Sequence, residues 1–260
     1  MAPGLKQEVQ DYWNEHPCGT QFTGMEWGSE EFFASVEEER YRRQPFMRDA
    51  VGFDRYPGKQ LLEIGCGLGT DLLQFARGGA HVTGLDLSLE SVRLARRRFE
   101  QQGFPPRFLN GDAENLPFPD ASFDVVYSFG VLHHTPNMDR AFAEVRRILR
   151  PGGEAVVMLY HSTSSHFFLG YPIDSARRIR RGEKPLGREE YFRVYDGEDN
   201  PLGKAFNRRQ VRRFFAGFDV VDQKAHDTWR PHLGTASNRL LLRLGPWFGF
   251  YLVTRARKLG

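Results

Sequence analysis

The stretch that decides the fold is Gln60-Leu-Leu-Glu-Ile-Gly-Cys-Gly-Leu-Gly-Thr-Asp-Leu-Leu-Gln-Phe-Ala76. Its first apolar residues are typical of a strand buried in a parallel sheet, and the apolar residues after the glycines fall on one face of a helix. Gly65, Gly67 and Gly69 permit backbone conformations that other residues avoid, and they let a ligand approach the main chain. The stretch therefore predicts a strand, a tight turn that binds a nucleoside, and a helix.

The spacing of the glycines and the nearby acids narrows the ligand. A dinucleotide fingerprint has its third glycine at position 70, where this chain has Thr70. Glu63, just before the turn, would repel a pyrophosphate but attract the ammonium group of an amino acid. The next apolar run ends in Asp86, at the distance where a carboxylate meets ribose hydroxyls. The pattern predicts a nucleoside with an amino-acid arm and no phosphates.

Five stretches of the chain, in order, resemble one known family. They are Leu62-Glu-Ile-Gly-Cys-Gly-Leu-Gly-Thr70, Gly84-Leu-Asp-Leu-Ser88, Gly111-Asp-Ala-Glu-Asn-Leu-Pro-Phe118, Ser122-Phe-Asp-Val-Val-Tyr-Ser-Phe-Gly-Val-Leu-His-His134 and Leu149-Arg-Pro-Gly-Gly153. On these motifs the chain resembles a class I S-adenosylmethionine-dependent methyltransferase of the UbiE-like (methyltransferase type 11) small-molecule branch. The five matches cover residues 58–160, and their shared order makes the resemblance specific.

The resemblance implies an α/β fold with a Rossmann-like, doubly wound and mostly parallel sheet of seven strands, the last one antiparallel. Residues 1–57 would form an N-terminal helical lid, with one helix near residues 5–15 and another capped by Ser35. Residues 58–260 would form the methyltransferase domain. Within it, residues 162–205 are too long for a plain connection after strand 5, and we interpret them as a substrate cap.

The family's cofactor is S-adenosylmethionine, and the resemblance assigns it a set of ligands. Asp112 matches the position of the adenine ligand, with the Ala113 backbone beside it, although Asp112 is also suited to capping a turn. The predicted cofactor-binding residues are Glu63, Gly65, Cys66, Gly67, Asp86, Leu87, Asp112, Ala113, Ser128 and Phe129.

The segment after the fourth strand bears on the acceptor. Enzymes that methylate amines of nucleic-acid bases or glutamine amides carry an Asn/Asp-Pro-Pro-aromatic motif there, whereas this chain has Ser128-Phe-Gly-Val131. A small-molecule acceptor is therefore favoured, and nucleic acid is disfavoured. His133 and His134 follow, and an imidazole in reach of a hydroxyl can take its proton as the methyl group moves. The competing interpretation is that these histidines only hold the loop or the cofactor.

We therefore predict methyl transfer by direct in-line displacement to a hydroxyl of an aromatic or quinone-like metabolite. N-, C- or S-methylation of another small molecule stays open, as does a binding protein without catalysis. A nicotinamide oxidoreductase is least favoured because of Thr70. The lid and the cap supply the predicted substrate pocket. The rings of Tyr12 and Trp13 are equally suited to sealing the lid helix against the core. The pocket residues are Tyr12, Trp13, His161, Tyr191, Arg193 and Tyr195.

Composition agrees with a globular enzyme. A formal net charge of +3 gives no argument for nucleic acid, and two cysteines are too few for a disulfide scaffold. No apolar run spans a bilayer and the start lacks a signal peptide, so we expect a cytoplasmic protein. No metal-ligand cluster stands out, and no metal is predicted. Residues 240–248 are apolar enough for membrane contact, but Arg243 interrupts them and favours a short buried segment.

Overall fold

One mixed sheet organises the chain in the computed structural model, which describes residues 3–227 and 234–260. The strands are β1 (Gln60–Ile64), β2 (His81–Asp86), β3 (Phe108–Asn110), β4 (Phe123–Phe129), β5 (Leu149–His161), β6 (Ala205–Phe206), β7 (Phe218–His226) and β8 (Tyr251–Lys258). The helices are α1 (Pro3–Glu15), α2 (Glu30–Arg43), α3 (Met47–Val51), α4 (Thr70–Arg77), α5 (Leu89–Gln101), α6 (Met138–Ile148), α7 (Tyr171–Arg180), α8 (Arg188–Arg193), α9 (Arg208–Phe214) and α10 (Thr235–Phe248).

The strand order is β3-β2-β1-β4-β5-β8-β7, with β6 paired to β5 off this path. β1 to β5 run parallel, whereas β8 is antiparallel to both β5 and β7. This arrangement confirms the predicted fold class, including the antiparallel last strand. The two-residue strand β6 adds an eighth strand to the seven expected. It was not predicted because a pair of residues carries no periodic signal.

The apolar residues of β1 alternate between the two faces of the sheet. Leu61 packs in the cluster that includes Phe75 of α4 and Phe99 of α5. Leu62 packs in the opposite cluster, with Phe142 of α6. Because successive side chains of a strand point to opposite faces, a strand covered by helices on both sides must be apolar throughout. Since helices cover both faces of the sheet, a ligand can bind at the carboxyl ends of the parallel strands.

The second helix begins earlier than the sequence suggested. Ser29, not Ser35, is the N-cap of α2, and its hydroxyl accepts a hydrogen bond of 3.1 Å from the Phe32 amide. Both serines precede glutamates, so local capping chemistry did not distinguish them. The earlier start lets α2 bury Phe32 and Phe33 against the core.

The apolar segment near the carboxyl terminus corrects another expectation. Residues 240–248 are not a buried lead-in to the last strand but the second half of α10. Trp247 is 63% exposed and Leu240 is 58% exposed, whereas the buried residues of α10 are Asn238 and Gly245. Arg243 does interrupt the apolar run, yet the interruption leaves an apolar face toward solvent. Over the described residues, no helix combines the length and the apolar character needed to cross a bilayer.

Candidate active site

A cavity of about 680 Å³ lies at the carboxyl ends of the parallel strands. Its floor is the glycine turn after β1 together with the ends of β2 and β4. Residues of α1 and α2 cover one side, and residues 195–197 and Tyr251 close another. The volume is in the range of small-molecule sites, and this edge of an open parallel sheet is where ligands bind.

The glycine turn is held open by Asp86. Gly65, Gly67 and Gly69 have φ values of +74°, +50° and +71°, so each occupies the left-handed region. The Gly67 amide donates a hydrogen bond of 2.8 Å to Asp86 Oδ2, and the Ser88 amide donates one of 2.8 Å to Asp86 Oδ1. Each carboxylate oxygen keeps a lone pair, so Asp86 braces the turn and still has acceptor capacity toward the cavity.

A substitution at Gly67 tests whether the ligand occupies the glycine turn. A Cβ at Gly67 would meet no atom within 4 Å, because it would enter the cavity. We expect Gly67→Ala to cost about 1–2 kcal/mol in the free energy of unfolding, from the left-handed backbone alone, and also to weaken S-adenosylhomocysteine binding. Denaturant unfolding and titration calorimetry measure the two effects.

Gly103 is the matched control, with φ +73° and open space at the end of α5. Gly103→Ala should cost similar stability and leave ligand binding unchanged. If Gly67→Ala binds S-adenosylhomocysteine as the wild type does, the ligand does not occupy the turn.

Glu63, at the end of β1, is a buried acid with one side-chain oxygen that lacks a hydrogen-bond partner among the described residues. The residue is 4% exposed, and its Oε2 has no hydrogen-bond partner among the described residues. Burial, reinforced by the nearby Asp71 carboxylate, raises the pKa of Glu63 well above its usual range. A buried acceptor without a partner costs free energy unless a ligand supplies a donor. An ammonium group in the cavity would satisfy it, and this role of Glu63 stays a prediction.

A polar cluster that no sequence motif indicated lies beside Glu63. Arg40 of α2 lines the cavity, and its Nε donates a hydrogen bond of 2.7 Å to Asp71 Oδ1. Tyr41 and Tyr127 donate hydrogen bonds of 3.0 and 2.9 Å to the same carboxylate. Asp71 thus fixes Arg40 in place, and the guanidinium nitrogen that is not bonded to Asp71 keeps its donors. These donors suit the carboxylate of an amino-acid arm.

No motif marks Arg40, since it lies on a charged helix far from the glycine turn in sequence. The available signal was Asp71, an acid at the start of a helix that faces the core. Asp71 is 3% exposed, and a buried carboxylate requires a partner.

The predicted adenine ligand is tied to the N-terminal helix. Lys6 Nζ donates hydrogen bonds of 2.6 Å to Asp112 Oδ2 and 2.7 Å to Glu114 Oε2. The Glu114 amide donates one of 2.9 Å to Asp112 Oδ1, so Asp112 caps a turn and also lines the cavity. Gln10 of the same helix donates to the Leu87 carbonyl at 2.9 Å. The capping interpretation of Asp112 is therefore observed, and its role as adenine ligand stays a prediction.

The other predicted cofactor residues divide by position. Ser128, predicted to hold the cofactor through its backbone, is not among the residues that line the cavity, and its hydroxyl donates a hydrogen bond of 3.0 Å to the Ile64 carbonyl. Burial raises the pKa of the Cys66 thiol, which stays neutral beside the turn. The predicted cofactor residues that line the cavity are Glu63, Gly65, Cys66, Gly67, Asp86, Leu87, Asp112, Ala113 and Phe129.

The two histidines have different environments. His133 is fully buried, and its ring centroid lies 4.0 Å from that of Tyr160 and 4.2 Å from that of His134. Burial lowers the pKa of His133 well below its usual value, and neither ring nitrogen has a partner among the described residues. It does not line the cavity. His133 therefore contributes packing, and its position gives no access to a ligand there.

His134 does line the cavity. Its Nδ1 hydrogen-bonds to the Leu202 carbonyl, which only accepts, so Nδ1 carries the proton. In the neutral ring Nε2 is then an unprotonated acceptor. Nε2 lies 3.3 Å from Asp196 Oδ2, and the Trp13 ring packs edge-on at 5.4 Å between centroids. This arrangement presents a base next to a carboxylate.

Asp196 belongs to a cluster that sequence spacing did not suggest. The Tyr160 hydroxyl donates to its two carboxylate oxygens at 2.7 and 2.9 Å. Among the described residues, the group that can hold a metal ion is His133, His134 and Asp196, with ligand atoms within 4.8 Å of one another. No metal was predicted from the sequence, and this group was not identified there, because Asp196 lies far from the histidine pair in sequence.

Two of the predicted pocket residues line the cavity, and a third lies behind them. Trp13 and Tyr195 are on the lining, and the Tyr195 and Tyr251 hydroxyls share a hydrogen bond of 2.8 Å. Tyr12 packs edge-on against Trp13 at 5.0 Å between centroids and donates to the Asp196 backbone carbonyl at 2.7 Å. Tyr12 thus positions Trp13 and Asp196 and is not on the lining.

The other three predicted pocket residues lie away from the lining and bond within the protein. His161 is held by the Gly249 carbonyl at 2.9 Å and by the Thr163 hydroxyl at 2.8 Å. Tyr191 donates to a backbone carbonyl of the cap at 3.2 Å, and the Arg193 guanidinium bonds to two more. Their polar atoms satisfy the folded backbone of residues 162–205. An aromatic or basic residue in a loop does not reveal from sequence which way it faces.

Comparison with known proteins agrees with the motifs. Residues 62–157 match the family model described as a methyltransferase domain. Over 122 residues the chain is 43% identical to the phthiotriol/phenolphthiotriol dimycocerosates methyltransferase of Mycobacterium tuberculosis, a match that covers 46% of this chain and 44% of that protein. Over 121 residues it is 41% identical to the fatty-acid O-methyltransferase of Mycolicibacterium smegmatis, covering 46% and 43%.

These matches span less than half the length of the curated relatives. Across nearly the whole chain, the fold resembles that of the [4+2]-cyclase SpnF, with a TM-score of 0.63 and 21% identity over 100% of this chain and 98% of that chain. At that identity the likeness supports the fold alone. The family predicted from the five motifs is confirmed over residues 62–157.

Proposed function

We propose that this chain, whose residues 62–157 belong to the methyltransferase domain family, transfers a methyl group from S-adenosylmethionine to a hydroxyl of a small aromatic or quinone-like acceptor. The observation that carries the proposal is His134, which lines the cavity that also holds the glycine turn and whose Nε2 has no hydrogen-bond partner among the described residues. Residues 1–57 act as a lid and residues 162–205 as a cap over that cavity.

The residues of the cavity fit the cofactor. Glu63 offers an unpartnered carboxylate oxygen to an ammonium group, and Arg40 offers donors to a carboxylate. Asp86 retains acceptor capacity for ribose hydroxyls, and Asp112 does so for an amine of the base. The bound cofactor supplies a methyl group on a sulfonium, which is already an activated electrophile. The protein's task is therefore to align the acceptor and to remove its proton.

His134 performs the proton transfer in this proposal. Its Nε2 would take the proton of the acceptor hydroxyl as the oxygen–methyl bond forms and the sulfur–methyl bond breaks, with S-adenosylhomocysteine as the leaving group and the ring becoming an imidazolium. The Leu202 carbonyl fixes the ring orientation through Nδ1–H. Asp196, at 3.3 Å from Nε2, stabilises the imidazolium, and the Tyr160 hydroxyl orients that carboxylate. The proton then leaves to solvent after product release.

The walls of the cavity favour an apolar acceptor. Trp13, Phe129, Tyr195 and Tyr251 present rings to it, and Phe129 and Tyr251 stack at 6.0 Å between centroids. Such walls bind a flat ring well. The relative from Mycolicibacterium smegmatis is named an O-methyltransferase, which supports oxygen as the acceptor atom. The apolar walls also suit a lipid-like acceptor that carries the same hydroxyl.

The test is a panel of matched acceptors with labelled S-adenosylmethionine, analysed by mass spectrometry. Simple phenols and hydroquinones should gain one methyl group on oxygen, and their O-methyl ethers should not react further at that position. Methylation of the aniline or thiophenol analogues alone would assign N- or S-methylation instead. Binding of S-adenosylhomocysteine by calorimetry without transfer to any panel member would point to a protein that binds the cofactor without catalysis on this class.

A further inference from the structure

Two helical segments next to the cavity expose large apolar side chains. Exposed apolar residues scattered singly are ordinary, but contiguous ones mark an interaction surface. We call this set the apolar rim; it consists of Phe168, Leu169, Ile173 and Ile179 together with Leu240, Leu244, Trp247 and Phe248. Each is between 41% and 63% exposed. None of them has a role in the function proposed above.

The residues from α10 form one stripe. Leu240, Leu244, Trp247 and Phe248 have the spacing i, i+4, i+7 and i+8, which places them along one face of a helix. The buried residues of α10 are Asn238 and Gly245, so the helix packs on the protein through its small and polar side. In a helix that served only the core, the apolar stripe would face inward. Here the stripe faces solvent.

The second segment combines apolar and basic side chains. Ile173 and Ile179 of α7 are exposed, as are Arg177 and Arg180 on the same helix. Residues 168–181 and 235–248 together contain six arginines and one acidic residue, Asp174. Asp174 is paired with Arg178 at 3.0 Å, which leaves the net charge of the two segments strongly positive. Helices with apolar and arginine-rich faces are suited to a membrane interface.

The two segments meet at Asp227, just after β7. Ser165, in the turn that leads into α7, donates a hydrogen bond of 3.0 Å to Asp227 Oδ2. On the other side, a Cβ at Gly245 of α10 would lie 3.3 Å from the Asp227 amide nitrogen. β7 is antiparallel to β8, as β5 is, so β5 and β7 end at the same edge of the sheet. The apolar rim therefore lies at the edge that carries the cavity.

We propose that the apolar rim docks the protein on the surface of an anionic phospholipid bilayer. The apolar side chains enter the boundary between headgroups and acyl chains, Trp247 prefers that boundary, and the arginines meet the lipid phosphates. A second copy of the chain is a poor occupant, because two such surfaces would bring six arginines against six arginines. The positive charge selects a negatively charged partner, and the apolar rim requires one with an apolar interior.

The test is cosedimentation of the full chain with vesicles, without cofactor or acceptor, so that it is independent of the proposed activity. The protein should bind vesicles of equal parts phosphatidylglycerol and phosphatidylcholine and remain in solution with phosphatidylcholine alone. Raising the salt from 0.1 M to 1 M should release it, because the screening length falls from about 10 Å to about 3 Å. Trp247→Ser with Phe248→Ser should lower the partition coefficient by about tenfold or more, from the lost burial of two large side chains.

The matched control is Val221→Ser with Leu259→Ser, which removes two exposed apolar residues outside the rim, at 52% and 56% exposure. This pair should leave vesicle binding unchanged, while Arg239→Gln with Arg243→Gln should lower it by about tenfold. Three results would overturn the proposal: no binding to anionic vesicles, equal binding to neutral ones, or equal loss in the control. Dimerisation in the absence of lipid that Trp247→Ser with Phe248→Ser abolishes would assign the rim to a second copy instead.

Discussion

Replacing His134 with alanine is expected to lower kcat by about 10²–10⁴-fold, the usual range for loss of a general base. The imidazole is the proton acceptor at the cavity in our proposal, and its orientation depends on the Leu202 carbonyl. In the variant the imidazole is absent, so the rate should follow ionisation of the acceptor hydroxyl, and its pH profile should differ from that of the wild type. Steady-state kinetics over a pH series measure both effects.

The neighbouring histidine is the comparison for this experiment. His133 is fully buried between Tyr160 and His134 and is not on the cavity lining. Its ring nitrogens have no partner among the described residues, so His133→Leu removes no hydrogen bond there. The variant should keep the wild-type pH profile. If His133→Leu loses the profile and His134→Ala keeps it, the assignment of the base is reversed. A drop in kcat in His134→Ala with an unchanged profile would reduce His134 to a positioning residue.

Glu63→Gln should raise the stability of the ligand-free protein while weakening S-adenosylhomocysteine binding by about 100-fold, or about 2.7 kcal/mol. Burial first, and then the Asp71 carboxylate, raises the pKa of Glu63 in the folded protein. Between the unfolded and folded pKa values, the folded state holds more protons than the unfolded state. The free energy of unfolding therefore falls as pH rises through this window.

Glutamine does not titrate, so the variant lacks this pH dependence of the free energy of unfolding. Its higher stability relative to the wild type should appear above the pKa of the carboxyl group in the unfolded chain. Each unit of pKa difference corresponds to about 1.4 kcal/mol. Urea unfolding from pH 4 to pH 8, together with calorimetric titration, gives both quantities. The expected result is a flatter stability profile with a poorer ligand affinity.

Glu154 is the matched carboxylate for this test. It pairs with Arg255 and accepts from the Tyr56 hydroxyl, so its charge has partners. Glu154→Gln should lower the free energy of unfolding and leave S-adenosylhomocysteine affinity unchanged, because Glu154 is not on the cavity lining. The proposed role of Glu63 fails if Glu63→Gln destabilises the protein and binds the ligand normally. In that case Glu63, which has no cationic partner, would behave as Glu154 does, which is already paired with Arg255.

The residues that sequence alone could place share one property: they belong to the glycine turn or to a strand end. Glu63 and Asp86 were predicted from their distance in sequence to the glycine turn, because ligands bind at the carboxyl ends of parallel strands. Arg40 and Asp196 were missed because each reaches the cavity from a distant helical element, and only the folded chain brings them together. His161 and Arg193 were placed in the pocket because of their residue type, yet their polar atoms bond to nearby backbone.

The same limit applies to the surface. The spacing of Leu240, Leu244, Trp247 and Phe248 was readable, but a helical stripe has no direction until the rest of the fold gives it one. Ser29 and Ser35 show the limit at a smaller scale, since both suit a helix start and tertiary packing selected the first.

The Lys6 contact with Asp112 orders part of the cavity wall before any ligand binds. The Asp112 loop is ordered by Lys6 Nζ and by the Glu114 amide when the chain folds. The entropic cost of ordering that loop therefore belongs to folding and does not reduce the affinity for a ligand. A carboxylate aligned in advance binds without waiting for a rearrangement. In this protein the N-terminal helix, far from the strands in sequence, forms part of the wall of the cavity beside Asp112.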